Sequence, residues 1–275
     1  MIVDWDDAYA NAPYIPDGES YADRWAEAAA AFRATLAPDR LRAGLPYGSH
    51  PRQRVDLFLP EARPLGLLVH IHGGYWRRYD PSSFSHLAAG AIARGWAVAM
   101  PGYVLAPEVR VTAITRMVAG AVASAAAAVP GPIRLSGHSA GGHLAARMVC
   151  ADSGLPEAVR ARLGRVFTIG GVHDLRPLLR TAINDDLRLD PEEAAAESPA
   201  LLMPLERARI HAWVGADERP EFVRQSRLLA NVWAGLGADT RLTEVPGRHH
   251  FDATDGMADP GSTLVTALLD TGADA

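Results

Sequence analysis

The stretch that decides the fold is "IRLSGHSAGGHLAAR" at residues 133–147. It begins as an apolar run, passes through GHSAG at residues 137–141, and continues with the spacing of a helix. A G-x-S-x-G pattern between a strand and a helix is typical of a nucleophile elbow, the tight turn that exposes a serine hydroxyl at the edge of a sheet. The alternative is a tight turn in which Ser139 has no chemical role, and the rest of the sequence decides between them.

Composition and charge narrow the class of protein. The chain has 275 residues, 48% hydrophobic and 21% charged, with a net charge of −5 at pH 7. These values predict one globular domain over residues 1–275 and give no basic surface for binding nucleic acid. The single cysteine, Cys150, excludes an internal disulfide and a cysteine-based metal cluster.

The sequence pattern predicts neither a secretory signal nor a membrane span. Residues 1–20 are acidic and lack the apolar core of a secretory signal. The apolar run at 111–129 contains Arg116 and is rich in alanine, so a packed helix is favoured over a membrane span. We therefore expect a cytoplasmic protein without a membrane partner.

Short apolar runs alternate with segments of helical spacing along the chain. This alternation predicts an α/β fold, with a mainly parallel central sheet and helices on both of its faces. The predicted strands cover residues 55–59, 65–71, 96–100, 133–135, 165–169, 210–214 and 241–245, and the predicted helices cover residues 83–94, 112–128, 142–151 and 221–236.

Two segments fall outside this alternation. In residues 1–50, the stretch 21–36 reads as a helix whose Trp25 and Phe32 share one face, and we expect this helical segment to pack on the domain. Residues 172–208 are charged and interrupted by proline, which indicates an insertion. We expect the two segments together to form a small cap over the sheet.

A second glycine-rich signal stands upstream, where "LLVHIHGGYW" at residues 67–76 ends an apolar run. Backbone N–H groups approach a developing oxyanion closely only where no Cβ is in the way, which favours Gly73 and Gly74 as donors. The N–H of Ala140, directly after the serine, would be the other donor. His72 itself is expected to hydrogen-bond the loop. Tyr75 and Trp76 are candidates for the substrate-binding wall or for the core.

The base and the acid are expected late in the chain. The stretch "VPGRHHFD" at 245–252 follows a predicted strand, and neighbouring residues of an extended loop point in opposite directions. We choose His250 over His249. Asp217 and Glu218 follow the preceding strand, and either carboxylate can orient an imidazole. The order of serine, acid and histidine is that of the α/β-hydrolase fold. No histidines have metal-ligand spacing, so neither a metal nor a cofactor is predicted.

Several pieces of sequence match one family. They are "HGGYW" at 72–76, "GHSAGGHL" at 137–144, "DLRPL" at 174–178, "PEFVRQS" at 220–226 and "HHFD" at 249–252. With these pieces the chain resembles α/β-hydrolases of the kynurenine formamidase (arylformamidase) type, which are related to the hormone-sensitive-lipase-like esterases. The opening "DWDDAYANAPYIPD" is similar too, so the resemblance covers nearly the whole chain.

The resemblance implies a role for individual residues. It places the triad acid at the fourth position of a G-x-x-[DE] turn, which is Glu218 here, although many relatives have Asp, so Asp217 stays a competitor. It selects His250 because that histidine precedes the Phe-Asp pair. Lipase-like relatives have a third glycine where this chain has Tyr75, and the larger side chain is expected to narrow the acyl side of the site.

The expected function is therefore that of a serine hydrolase acting on a small molecule. The catalytic residues would be Ser139, Glu218 and His250, and the acyl group would be small, as in an aryl formamide such as N-formyl-L-kynurenine. The alternatives are a short-chain carboxylesterase and an inactive hydrolase fold retained for binding. The zinc-dependent type of formamidase is not supported. The substrate, the pathway and the assembly, including a homodimer, are left open by the sequence.

Overall fold

In the computed structural model, which describes residues 2–270, eight strands form one sheet in the order β1-β2-β4-β3-β5-β6-β7-β8. Strand β2 runs antiparallel to both of its neighbours, and the strands from β4 to β8 are parallel. This arrangement confirms the predicted mainly parallel sheet. The strands are β1 Leu41–Pro46, β2 Arg54–Phe58, β3 Leu67–Ile71, β4 Ala97–Pro101, β5 Ile133–His138, β6 Leu163–Ile169, β7 Arg209–Gly215 and β8 Asp239–Val245.

Helices connect the strands and cover both faces of the sheet. The α-helices are α1 Trp5–Tyr9, α2 Tyr21–Ala34, α3 Ala89–Ala93, α4 Val111–Ala128, α5 Ala140–Arg147, α6 Glu157–Arg160, α7 Asn184–Leu187, α8 Pro191–Ala196, α9 Pro220–Gly235 and α10 Thr263–Leu269. Short 3₁₀ helices lie at Ala12–Tyr14, Gly18–Ser20, Pro81–Ala88, Arg176–Arg180, Pro199–Leu201 and Asp255–Ala258.

The central strands are apolar because both of their faces are covered. All five residues of β3 and all six residues of β5 are buried, as is usual in parallel sheets packed between helices. Helix α4 is 18 residues long and apolar enough, by length and composition, to cross a membrane, but half of it is buried in this fold. Its residues Val111, Ile114, Val118 and Val122 form an apolar stripe in the core.

Three differences between the structure and the predicted elements are informative. Strand β1 was not predicted, because five of its six residues are exposed and Gly44 interrupts it at a φ of 66°. The predicted helix 83–94 is a 3₁₀ segment followed by the short helix α3. The predicted helix 142–151 begins earlier, at Ala140, and ends at Arg147.

The N-terminal segment packs against the body of the fold as expected. Trp25 of α2 is buried and contacts the rings of Tyr79, Phe84 and Phe251. Phe32, on the same face, packs against Phe58 of β2. This aromatic group joins α2 to the loops that follow β3 and β8, which are the loops that carry the predicted site.

The inserted segment 172–208 is held by buried charges. The Glu197 carboxylate accepts a hydrogen bond from the Arg147 guanidinium at 3.0 Å and from the Thr115 hydroxyl at 2.7 Å. Glu193 accepts hydrogen bonds from the backbone and the hydroxyl of Thr112. These contacts fix the segment on α4 and α5, so that Ala182 and Ile183 form part of a cavity wall.

Candidate active site

Ser139 lies at a strained turn between β5 and α5, with φ 57° and ψ −120°. The turn depends on the two flanking glycines. A Cβ on Gly137 would lie 2.0 Å from the Gly141 carbonyl oxygen, and a Cβ on Gly141 would lie 2.0 Å from that of Ile71. The Ser139 N–H donates to Ile169 O at 2.8 Å, which ties the turn to β6. A left-handed conformation at a serine is costly and persists where the surroundings enforce it, as they do here.

Glu218 and His250 form a buried pair. His250 Nδ1 lies 2.5 Å from Glu218 Oε2, and Glu218 Oε1 accepts a hydrogen bond from the Gly215 N–H at 2.9 Å. The carboxylate is therefore held at both oxygens. Asp217 is exposed, and its own N–H donates to the Arg248 carbonyl at 3.0 Å. Of the two candidate acids, the structure brings Glu218 to the histidine.

The adjacent histidines point in opposite directions. His249 Nε2 lies 3.2 Å from the Tyr21 hydroxyl, and its Nδ1 accepts the N–H of Phe251, so this ring is turned toward α2. His250 is buried, and within residues 2–270 its Nε2 makes no hydrogen bond but is open to the cavity that Ser139 also lines. His250 is thus oriented by Glu218 on one side of the ring and free on the other.

Ser139 and His250 share one cavity of about 440 Å³. Gly73, Gly74 and Tyr75 line it beside them. A largely aromatic wall also lines the cavity, together with charged and amide side chains. The aromatic wall consists of Tyr9, Trp25, Tyr79, Phe84 and Phe251, and the polar residues are Asp6, Asn11, Arg77 and Arg78.

Three backbone N–H groups near the serine are unused. Within the described chain, the N–H groups of Gly73, Gly74 and Ala140 donate no hydrogen bond. A Cβ on Gly73 would lie 2.7 Å from the His138 carbonyl oxygen, and Gly74 has a φ of 107°. Both positions therefore require glycine. Two donors before a serine and one directly after it are the arrangement that binds an oxyanion.

His72 is a structural residue of this loop, as the sequence suggests. Its Nδ1 lies 2.8 Å from the Gly73 carbonyl, and its ring stacks on Tyr103 with centroids 4.5 Å apart. Burial lowers the pKa of His72 to about 4. A neutral imidazole that bonds its own loop fixes the conformation of Gly73.

The two aromatic candidates for the substrate wall, Tyr75 and Trp76, lie on different sides of the loop. Tyr75 lines the cavity, and its hydroxyl donates to the Tyr9 carbonyl. Trp76 does not line it: its side chain is fully buried, and its Nε1 donates to His143 Nδ1 at 3.2 Å. The expectation that Trp76 binds substrate is therefore corrected, because consecutive residues of this loop face opposite sides and Trp76 faces the core.

Sequence reasoning missed one glycine and one histidine that lie next to the pair of Glu218 and His250. Gly170 follows β6 at a φ of 53°, and a Cβ there would lie 2.8 Å from Glu218 Oε2 and 3.0 Å from His250 Nδ1. The signal was the Gly-Gly step after a predicted strand. His138 lies in the cavity wall before Ser139, inside the motif itself. Nothing in the sequence pattern pointed to the cavity-lining residues of segment 6–13.

Residues 2–270 contain no group of three or more His, Cys, Asp or Glu side chains placed to hold a metal ion. The candidate site is therefore built of a serine, a histidine, a carboxylate and backbone donors. Such a set can carry out nucleophilic acyl transfer without any further group.

Comparison with known proteins places the chain among hydrolases. The BD-FAE family model matches residues 55–159. The kynurenine formamidase of Salmo salar is 29% identical over 237 residues, which cover 82% of this chain and 80% of that protein. The kynurenine formamidase of Drosophila melanogaster is 27% identical over 237 residues, which cover 81% of this chain and 77% of that protein.

Solved structures agree in fold. A crystal structure from a Silicibacter species, assigned provisionally as a thioesterase, has a TM-score of 0.93 and 47% identity, and covers 97% of this chain and 99% of its own. An esterase from Pyrobaculum calidifontis has a TM-score of 0.72 at 18% identity, and covers 94% of this chain and 93% of its own. The second likeness concerns the fold alone.

Proposed function

The chain belongs to the α/β-hydrolases of the kynurenine formamidase type, and from that membership we propose that it hydrolyses an aryl formamide, N-formyl-L-kynurenine being the first candidate. The observation that carries the proposal is the buried pair of Glu218 and His250, whose free ring nitrogen opens to the cavity containing the strained Ser139. That the chain is a hydrolase follows from its relatives; the substrate and the mechanism are proposed here.

The mechanism begins with Ser139. His250 Nε2 takes the hydroxyl proton while the oxygen bonds to the formyl carbon, and the carbonyl electrons move to its oxygen. Glu218 keeps the Nδ1 proton on the imidazole and stabilises the imidazolium. The N–H groups of Gly73, Gly74 and Ala140 bind the oxyanion, and such donors are worth about 3–4 kcal/mol each in comparable enzymes.

Collapse of the tetrahedral intermediate breaks the carbon–nitrogen bond. His250 gives its proton to the leaving nitrogen, which departs as an aryl amine, and the formyl group stays on Ser139. Water then adds to the ester, again with His250 as base, and formate is released with the serine restored. The balance is one water consumed for one amine and one formate.

The shape of the cavity supports a small acyl group. Tyr75 stands in its wall, directly after the two donor glycines, and the bond from its hydroxyl to Tyr9 O holds the ring in place. A bulky fixed side chain beside the oxyanion donors leaves little room for a long acyl chain. The aromatic wall, which includes Trp25, Phe84 and Phe251, suits an aryl leaving group.

The proposal is tested by release of formate. We expect purified protein to release formate and aryl amine from N-formyl-L-kynurenine in equal amounts, with kcat/KM at least about tenfold above that for the N-acetyl analogue, which adds one methyl group beside Tyr75. Ser139→Ala should lower turnover to the small residual rate that substrate binding and oxyanion stabilisation alone provide. An organophosphonate should label Ser139 in the native protein and leave Ser136, its neighbour in β5, unlabelled.

A specific observation favours a second candidate, which is hydrolysis of short-chain esters or thioesters. The solved relative at 47% identity carries a provisional thioesterase assignment. The same serine, histidine and donors would act on either bond, since only the leaving atom differs. If short-chain esters and thioesters exceed every aryl formamide in kcat/KM, the formamidase proposal is wrong and this second function takes its place.

A further inference from the structure

His138 lies at the end of β5, directly before the proposed nucleophile, and its side chain is in the wall of the cavity. Its ring packs on that of His250, with centroids 4.6 Å apart. Its Nε2 lies 2.7 Å from the His250 carbonyl oxygen. Because a carbonyl oxygen only accepts hydrogen bonds, Nε2 must carry a proton.

The other ring nitrogen of His138 is consequently an acceptor. Burial and the neighbouring His250 lower the pKa of His138 well below its usual value, so the ring is neutral and Nδ1 has a bare lone pair. Within residues 2–270 this Nδ1 has no hydrogen-bond partner, and it is not sealed from solvent. Since His138 is buried except where it meets the cavity, Nδ1 faces the cavity.

The hydrolysis of an amide creates a need for an acceptor at this place. When the serine adds to the carbonyl, the nitrogen becomes pyramidal, and its lone pair must turn toward His250 Nε2 to receive the proton. The N–H bond then turns away from His250 and loses any earlier partner. A hydrogen left without an acceptor raises the free energy of the transition state. An ester has an oxygen in this position and no hydrogen to place.

We propose that His138 Nδ1 accepts the scissile N–H of the substrate, which makes His138 a residue that favours amides over esters. The inference rests on the serine mechanism proposed above and deepens it by naming the residue that distinguishes a leaving nitrogen from a leaving oxygen. The bond from Nε2–H to the His250 carbonyl fixes the tautomer and the ring orientation, so the acceptor is set before substrate binds.

The test compares an anilide with the matching ester in each enzyme. The substrates are formanilide with phenyl formate, and acetanilide with phenyl acetate, so that acyl group and aryl group stay constant. His138→Phe keeps a ring against His250 but has no acceptor, whereas His138→Gln keeps a donor for His250 O and an acceptor oxygen. Thermal melting of each variant verifies folding.

We expect the ratio of kcat/KM for anilide over ester to fall about tenfold or more in His138→Phe and to recover in part in His138→Gln. If the anilide-to-ester ratio is unchanged in His138→Phe, or falls as far in His138→Gln as in His138→Phe, the inference is overturned. Failure of the formamidase proposal looks different: wild-type enzyme would not prefer formyl over acetyl, while the anilide-to-ester ratio would still respond to His138→Phe. Wild-type enzyme that hydrolyses esters but no anilide would overturn both.

Discussion

Glu218 Oε2 lies 2.5 Å from His250 Nδ1, inside the protein, while the neighbouring carboxylate of Asp217 is in solvent. The two acids are adjacent in sequence and nearly equal in chemistry. What distinguishes them is the turn after β7, which buries Glu218 and exposes Asp217. Gly215 makes that turn tight, because a Cβ there would lie 2.1 Å from the Arg248 carbonyl oxygen. The chain therefore contains a matched pair for testing the triad.

Glu218→Gln should lower kcat by up to about 10⁴, because His250 loses the partner that fixes its tautomer and stabilises its charge. Asp217→Asn should leave kcat nearly unchanged, since its carboxylate is exposed. Steady-state kinetics on one substrate measures both variants. Equal rates in the two variants would remove Glu218 from the mechanism, and the reverse pattern would assign Asp217 in its place.

Gly170→Ala should reduce activity far more than stability. The new methyl group would lie 2.8 Å from Glu218 Oε2 and 3.0 Å from His250 Nδ1, so the pair must move apart. A small displacement of catalytic groups costs about 100-fold in rate. The control is Gly154→Ala, where φ is also positive but no atom of the described residues lies within 4 Å of the new Cβ. If both variants keep wild-type kcat with matched melting temperatures, the close approach at Gly170 has no catalytic consequence.

Stability should fall as the pH drops below about 6.5. Burial lowers the pKa of His70, His143 and His173 to about 3 and that of His72 to about 4. Above about pH 7 these rings are mostly uncharged in both the folded and the unfolded state. Below about pH 6.5 the unfolded chain binds protons that the folded chain refuses, so each site costs about 1.4 kcal/mol per pH unit until its folded pKa is reached.

Urea unfolding between about pH 7 and pH 5 measures this dependence. His173→Leu should give a shallower fall than wild type, because both ring nitrogens of His173 are buried and have no hydrogen-bond partner among residues 2–270. His50→Gln is the control, since His50 is partly exposed and pairs with Glu108 at the surface. The same slope in all three proteins would mean that His173 does not resist protonation.

Prolonged dialysis against EDTA should leave the hydrolysis rate unchanged. The proposed chemistry uses Ser139, His250 and backbone donors, and a metal is required at none of its steps. The measurement is kcat/KM before and after dialysis, with added zinc as a further arm. Activity that disappears on chelation and returns with zinc would contradict the serine mechanism.

The sequence was most informative where the signal is local. The elbow around Ser139 is specified by glycines within two residues of it, and the buried strands are continuous apolar runs, so both were predictable. Strand β1 was not, because an exposed edge strand lacks that pattern. The sequence left Trp76 open between the substrate wall and the core, since composition does not reveal which way a side chain in a loop with positive φ points; its φ is 56°.

Long-range contacts were beyond the reach of sequence patterns. Asn11 and its neighbours line the cavity in a segment that Tyr9 ties to the distant Glu221, and no local pattern in segment 6–13 encodes that partner. The choice of Glu218 over Asp217 came from a family turn motif, and the depth at which each carboxylate lies depends on packing against His250. Patterns indicate which residue types are available, and tertiary packing selects among them.

The docking of Tyr9 also determines when the site is complete. Its hydroxyl donates to Glu221 Oε1 across 212 residues, and its carbonyl receives the Tyr75 hydroxyl that holds the acyl wall. Closing so long a loop has an entropy cost, and the contact requires both segments to be present. During synthesis, a chain made only as far as α8 already contains Ser139 but lacks α9, the helix that anchors Tyr9, and lacks His250. On the proposed mechanism, a nascent chain that stops short of residue 250 therefore has the nucleophile but no base, and it cannot hydrolyse substrate until His250 has been added.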